Sequence, residues 1–409
     1  MKYLFTLIAA LGFCFNYAYA QTECDNGRYI NREYFDSVTV TSGINFGSNS
    51  AVQGGGTEQL DMDIYQPYGD TLAERPVILF AFGGSFIGGS RTDSYIRDLC
   101  TDFAKMGYVT VAFDYRVGLF VPNEVNTTLA VVRAMHDMKA AVRYLRRSVV
   151  ELGNPYGIDT SFIVAGGVSA GAITALQTGY FDKESEIPTY LDTTLVDSLG
   201  GVEGNSGNAG YSSRVHAVIG YSGAIGDTLW IEAGDIPMIT IHEINDNVVP
   251  FDTREVAVSG IPTGLIASGS GSIKGWCDQI GVLDRLYTYN SSNHTGYIAS
   301  DYDTTVARTA RFLKDDAGVC TASVGIKDIK TAGFNVYPNP VESELTIQVN
   351  NNEPYTVQLF STIGQVAYSQ SALVGNAQLD FGQLAPGIYV LKLANQQGST
   401  LQTQKVIVR

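Results

Sequence analysis

The stretch Gly167-Val168-Ser169-Ala170-Gly171 sets one serine between two glycines, after the apolar run FIVAG and before the helical run AITAL. A serine hydroxyl attacks a carbonyl only when a base removes its proton and a carboxylate orients that base. Strand, tight turn and helix in this order are the setting in which a serine is held up as a nucleophile, and the flanking glycines let strand and helix pass closely. Ser169 is therefore the candidate nucleophile.

The chain has four histidines from which to draw a base. His136 falls in a long helical pattern, His216 begins an apolar strand, and His242 lies in or at the end of the strand MITIH; these three read as packed or capping residues. His294 lies in the polar loop YNSSNHTGY, downstream of the serine, and is the candidate base. The segment HEINDNVVPF, between serine and base, offers Glu243, Asp246 and Asp252. Asp246 sits past the strand end, where a side chain can reach back to a histidine. Glu243 is the second choice, and Asp252 reads as the cap of a helix after Pro250.

Attack on a carbonyl also needs N–H donors for the developing oxyanion. The run FAFGGSFIGGS follows an apolar strand. Gly83, Gly84 and Ser85 can turn N–H groups toward the substrate, with the N–H of Ala170 completing the hole. Phe86, Ile87, Tyr221 and Trp230 are candidates for an apolar acyl pocket. This chemistry needs no metal or cofactor.

The elements that must position these residues follow from periodicity. Residues 37–67 alternate apolar and polar, as an antiparallel hairpin does. VILFAF and VTVAFDY are continuous apolar runs, as buried parallel strands are. Helical spacing appears in SYIRDLCTDFAKMG and over about 127–152, where Leu129, Val132, Met135, Val142, Leu145 and Val149 share a face. Further strands are expected at 162–166, 215–221, 237–242 and 286–289, with a closing helix near 301–314. Alternating strands and helices imply an α/β fold, a mostly parallel sheet flanked by helices. Residues 182–213 and 253–283 are Gly/Ser-rich and read as insertions over the strand ends. From Phe334 on, short alternating strands imply a small all-β sandwich. The expected division is a signal peptide at 1–20, a catalytic domain at 21–320, a linker at 321–333 and the sandwich at 334–409.

The formal charge of −15 argues against a nucleic-acid partner. The first twenty residues combine Lys2, an apolar core and Ala18-Tyr19-Ala20, a secretory signal peptide rather than a membrane span. A lipid anchor on Cys14 would want a small residue in place of Phe13. Cys24, Cys100, Cys277 and Cys320 then remain, an even number in an exported chain, and the expected disulfides are Cys24–Cys100 and Cys277–Cys320. No stretch in the rest of the chain is long and apolar enough to be a transmembrane segment.

Taken together, FGGSFIGGS, VAFDYRVG, DMKAAVRYLRR, YGIDTSFIVAGGVSAGA and HEINDNVVPF resemble, in order and spacing over about 55–316, the carboxylesterase/lipase branch of the α/β-hydrolase superfamily. The resemblance implies Ser169 as nucleophile, Asp246 as acid, His294 as base, and the N–H groups of Gly84, Ser85 and Ala170 as oxyanion hole. Two departures stand out. Phe82 and Ser85 replace the first and last residues of the family's frequent His-Gly-Gly-Gly, and Asn293 replaces the usual glycine before the base. The C-terminal FNVYPNP, LFSTIGQVAYS, LAPGIYVLKL and QKVIV resemble the type A sorting domain of Bacteroidetes type IX secretion. That implies export through the type IX machinery to the medium or the cell surface. The expectation is a secreted carboxylic-ester hydrolase acting on an ester substrate. A serine peptidase on the same fold and a non-catalytic binding module are the alternatives.

Overall fold

The computed structural model describes residues 24, 26–320, 334–349, 354–361, 365–395 and 400–409. The expected signal peptide and linker lie outside them. The chain divides after Ala322 into two compact units.

In the first unit the continuous apolar runs become central strands. β3 (Arg75–Ala81), β4 (Val109–Phe113), β5 (Ile158–Val168), β6 (Ala217–Tyr221), β8 (Met238–Glu243) and β11 (Asp284–Tyr289) are parallel. Every residue of β3, β4, β6 and β8 is buried, as strands covered on both faces require. The alternating N-terminal segment forms the hairpin β1 (Val38–Ser50) and β2 (Thr57–Pro67), which adds antiparallel to β4. The sheet order is β1-β2-β4-β3-β5-β6-β8-β11. Helices α1 (Ser94–Lys105), α2 (Glu124–Glu151) and α3 (Ala170–Tyr180) connect its strands.

One face of α2 explains how the Gly/Ser-rich segment after α3 is ordered with few apolar residues to bury. His136 Nε2 donates to the carbonyl of Gly201, Lys139 Nζ to those of Phe181 and Val202, Arg143 to those of Glu203 and Gly207, and Arg146 to those of Ser212 and Arg214. These donors recur three and four residues apart, so one helical stripe reaches along the segment. Burial pushes the His136 imidazole down to about 3, which suits a neutral, structural histidine. The segment itself folds only a short helix, α4 (Thr193–Ser198), besides a 3₁₀ turn.

The second segment read as an insertion is regular structure instead. β9 (Thr253–Val258) and β10 (Ile261–Gly269) pair with each other, β10 pairs with the two-residue β7 (Ala224–Ile225), and α5 (Ser270–Ile280) follows. Strand rather than helix follows Pro250, so Asp252 is exposed and caps no helix there. The closing helix is two pieces, α6 (Tyr297–Ser300) and α7 (Tyr302–Arg311), extended by a π turn.

The cysteine pairing differs from expectation. Cys24 is bonded to Cys320, across 296 residues, while Cys100 and Cys277 are buried free thiols. Cys100 lies on α1 and Cys277 on α5, both facing the core, whereas the two ends of the unit meet. Burial pushes the Cys277 thiol up to about 12 and the Cys100 thiol higher still.

The second unit has two sheets, one of β12 (Phe334–Tyr337), β13 (Glu344–Val349) and β16 (Ala377–Asp380), the other of β14 (Tyr355–Ser361), β15 (Val366–Leu373), β17 (Gly387–Asn395) and β18 (Thr400–Val408). Leu345, Ile347, Val357, Leu359, Leu391 and Val406 join in one core between them. Among the described residues, no helix is long and apolar enough to cross a membrane.

Two outcomes follow. The oxidised chain without residues 1–20 should yield two titratable thiols in denaturant and none when native; a reading of zero in denaturant would contradict the pairing. Asp284 opens β11 buried, with one carboxyl oxygen on the Thr240 hydroxyl and the other without a partner among the described residues. Burial pushes its pKa up to about 7 despite the Thr240 bond. The folded state therefore holds a proton that the unfolded chain releases near pH ~4, so this site's contribution to stability falls as pH rises toward 7 and stays lost above it. Asp284→Asn should raise the melting temperature at pH 8 more than at pH 5, which calorimetry at the two pH values would read.

Candidate active site

The parallel strands place the candidate residues at one end of the sheet. Ser169 directly follows β5 and is the N-cap of α3. Its φ of 56° and ψ of −119° are strained for a residue with a side chain. The turn survives because glycines stand on either side. A Cβ on Gly167 would lie 2.2 Å from the Gly171 carbonyl, and one on Gly171 would lie 2.1 Å from the Ala81 oxygen. Strand β5, helix α3 and the end of β3 are thus packed backbone to backbone.

Asp246 and His294 come from the loops after β8 and β11, adjacent parallel strands. His294 Nε2 lies 2.7 Å from Ser169 Oγ, and His294 Nδ1 lies 2.6 Å from Asp246 Oδ2. With Nδ1 donating to the carboxylate, Nε2 is left to accept the serine proton. The His294 loop is pinned from below. Ser222 Oγ donates to the His294 carbonyl at 2.9 Å, and the Tyr297 hydroxyl donates to the carbonyl of Ile241 at 2.8 Å. Asn293, where a glycine was the norm, does not prevent this placement.

Asp246 is 1% exposed. Burial by itself would push its carboxyl up. Hydrogen bonds from His242, His294 and the Val248 N–H, with the charge of His294, hold it well below the usual carboxylate range instead. Oδ1 accepts from the N–H groups of Val248 and Val249. Oδ2 accepts from His294 and, at 3.2 Å, from Nε2 of His242. His242 is fully buried; its Nε2 faces two acceptors, Asp246 Oδ2 and the Val249 carbonyl at 3.3 Å, and so carries a proton, while its Nδ1 lies 2.8 Å from Ser270 Oγ. On sequence alone His242 reads as a packed or capping residue. Its position four residues before Asp246 was the available signal, but a strand residue and a turn residue converge only once the turn is known. Glu243, the second-choice acid, is buried at the end of β8 and its carboxyl oxygens have no hydrogen-bond partner among the described residues. His216 Nδ1 accepts the N–H of Ile163.

The Gly-rich loop after β3 lies beside the serine because Ala81 pairs with Gly167. Gly84, Ser85 and Phe86 all have positive φ, and a Cβ on Gly84 would lie 2.2 Å from the Gly88 oxygen. The Gly83 N–H is taken by the Tyr95 hydroxyl at 2.8 Å. No protein acceptor among the described residues takes the N–H groups of Gly84, Ser85 or Ala170. Phe82 anchors the loop by stacking on Tyr115, ring centroids 4.2 Å apart, while the Tyr115 hydroxyl donates to the Phe82 carbonyl.

A cavity of about 430 Å³ opens beside Ser169, walled mainly by apolar residues of α2, α3 and the β9–β10 hairpin. Phe86 and Trp230 line it. Ile87 and Tyr221 do not: Ile87 is 41% exposed, and Tyr221 is fully buried with its hydroxyl on Thr309.

Residues 62–230 match the BD-FAE family, and residues 335–409 match the secretion system C-terminal sorting domain. The chain joins an esterase-like α/β-hydrolase domain to a type IX sorting domain. A comparison with curated proteins finds no match. Among solved structures, Thermogutta terrifontis esterase 2 phosphorylated by paraoxon is 24% identical, with 66% of this chain and 94% of that chain covered and a TM-score of 0.45. The butyrate-bound form of the same esterase is 23% identical over 65% of this chain and 93% of that chain, with a TM-score of 0.46. The sorting domain marks the hydrolase for export, to the medium or the cell surface.

The shared carboxylate yields a prediction about the hydrolase domain. His242→Phe should lower kcat on a p-nitrophenyl ester by about ten- to a hundredfold, the worth of a hydrogen bond to a charged group, with KM within about twofold. His242→Asn keeps a donor and should recover part of the loss. Unchanged kcat in the Phe variant would rule out a positioning role.

Proposed function

We propose that the chain is an exported serine carboxylic-ester hydrolase that works through Ser169, His294 and Asp246. The observation that carries this is the unbroken hydrogen-bond chain from the Asp246 carboxylate through His294 to Ser169 Oγ. Ser169 Oγ attacks the ester carbonyl carbon while its proton passes to His294 Nε2. Asp246, kept ionised, stabilises the imidazolium. The N–H groups of Gly84, Ser85 and Ala170 receive the oxyanion, and they are available because no acceptor among the described residues takes them. Collapse of the tetrahedral intermediate expels the alcohol, which takes the proton from His294. Water then attacks the acyl-enzyme by the same route and releases the acid.

The strained backbone at Ser169 supports the reading, since such strain persists where the surroundings enforce it and is concentrated at working sites. The apolar cavity supports an acyl group on the same side as the nucleophile.

Wild-type protein should hydrolyse p-nitrophenyl butyrate and be labelled at Ser169 by a fluorophosphonate. Ser169→Ala should lose at least about a thousandfold in kcat and all labelling. Full activity in the variant would sink the assignment. Faster turnover of aminoacyl amides than of matched esters would favour the peptidase alternative.

A further inference from the structure

Two buried polar side chains that line the cavity, Thr127 and Gln177, make no hydrogen bond to any described residue, and Gln177 is the one in the stripe that starts at the nucleophile. Along α3, Ser169, Ile173, Gln177 and Phe181 fall every four residues and line the cavity in a single stripe. Across from them, Thr128, Val131, Val132 and Met135 of α2 form the opposite wall, and Phe181 packs edge-on against Trp230 at the far end, ring centroids 4.8 Å apart. The cavity therefore runs along the helix axis away from the nucleophile. At 1.5 Å per residue, Gln177 stands about 12 Å from Ser169 and Phe181 about 18 Å.

Gln177 is 5% exposed. Its carboxamide can give two hydrogen bonds and accept two; it makes none to any described residue, and its amide atoms are not sealed in the core but open on the cavity. Its neighbours in the stripe, Ile173 and Phe181, are apolar, and a leucine in its place would pack there without leaving a polar group unpaired. An amide that opens on an apolar-walled cavity pairs there with water, and a ligand that fills the cavity must replace those hydrogen bonds or lose them. Glu186, the nearby acidic lining residue, is by contrast satisfied by the N–H groups of Asp182 and Lys183.

We propose that the cavity takes an elongated acyl chain that is apolar next to the ester carbonyl and carries a hydroxyl or carbonyl oxygen toward its far end, and that Gln177 reads that oxygen. The inference rests on the esterase reading and adds the substrate class. Apolar walls near Ser169 accept the methylenes, and the amide rejects a chain that arrives at its depth with nothing to hydrogen-bond. An acyl chain too short to reach Gln177 is not discriminated.

The test uses the full chain and its Gln177→Leu and Gln177→Met variants, with fluorophosphonate labelling to count intact sites. The substrates are p-nitrophenyl octanoate and decanoate, each against its ω-hydroxy counterpart. Wild type should prefer the ω-hydroxy ester at one or both lengths. The ratio of the two kcat/KM values should fall by about tenfold or more in both variants. An unchanged ratio in the variants, with labelling intact, overturns the role of Gln177 while leaving the esterase reading in place. Absence of wild-type labelling and turnover overturns both.

Discussion

A carboxylate has been taken out of water at Asp246, and much of the site is arranged around keeping it charged. Four N–H groups converge on its two oxygens, from His242, Val248, Val249 and His294. That requirement fixes the turn after β8, whose backbone must fold back on the side chain. It reaches further through His242, whose Nδ1 meets Ser270 at the start of α5. Arg254 on β9 donates to the Asp246 carbonyl, so the cavity-lining hairpin is tied to the same turn. An uncompensated buried charge would be costly enough to deform this corner of the sheet. Paired as it is, the charge orients His294 toward Ser169 without moving a loop.

The esterase-like hydrolase was legible where the chain signals locally. The elbow at Ser169 announces itself because two glycines are needed for backbone contact, and the buried strands announce themselves because they are apolar on both faces. Chain order and loop position then singled out Asp246 and His294, which the structure brings within hydrogen-bond distance. What was not legible depends on pairing between distant segments. β10 carries Pro262, Gly264 and Gly269, a poor strand by composition, and exists by pairing with β9 and two residues of β7. His242 looks like any core histidine until the turn brings Asp246 beneath it. Tyr221 turns away from the cavity, and a strand buried on both faces shows no polar face from which to read that orientation; Ile87 lies in a turn after β3, where no periodicity tells which side chain faces inward.

The segment between α3 and β6 shows a second way to order a chain poor in apolar residues. A stripe of cationic and imidazole donors on α2 satisfies its carbonyls one after another, so its backbone is held by hydrogen bonds as well as by the few side chains it buries, Leu191, Val196 and Val202. The same helix turns an apolar stripe toward the cavity. One helix thereby supports both the backbone of that segment and one wall of the cavity.

The bond between Cys24 and Cys320 makes the hydrolase a covalent ring. A single proteolytic nick anywhere between them opens the ring but frees no fragment. A cut after Cys320 detaches the sorting domain and leaves the ring whole. Loss of the sorting domain and breakage of the disulfide-closed ring are thus separate events, governed by different stretches of chain.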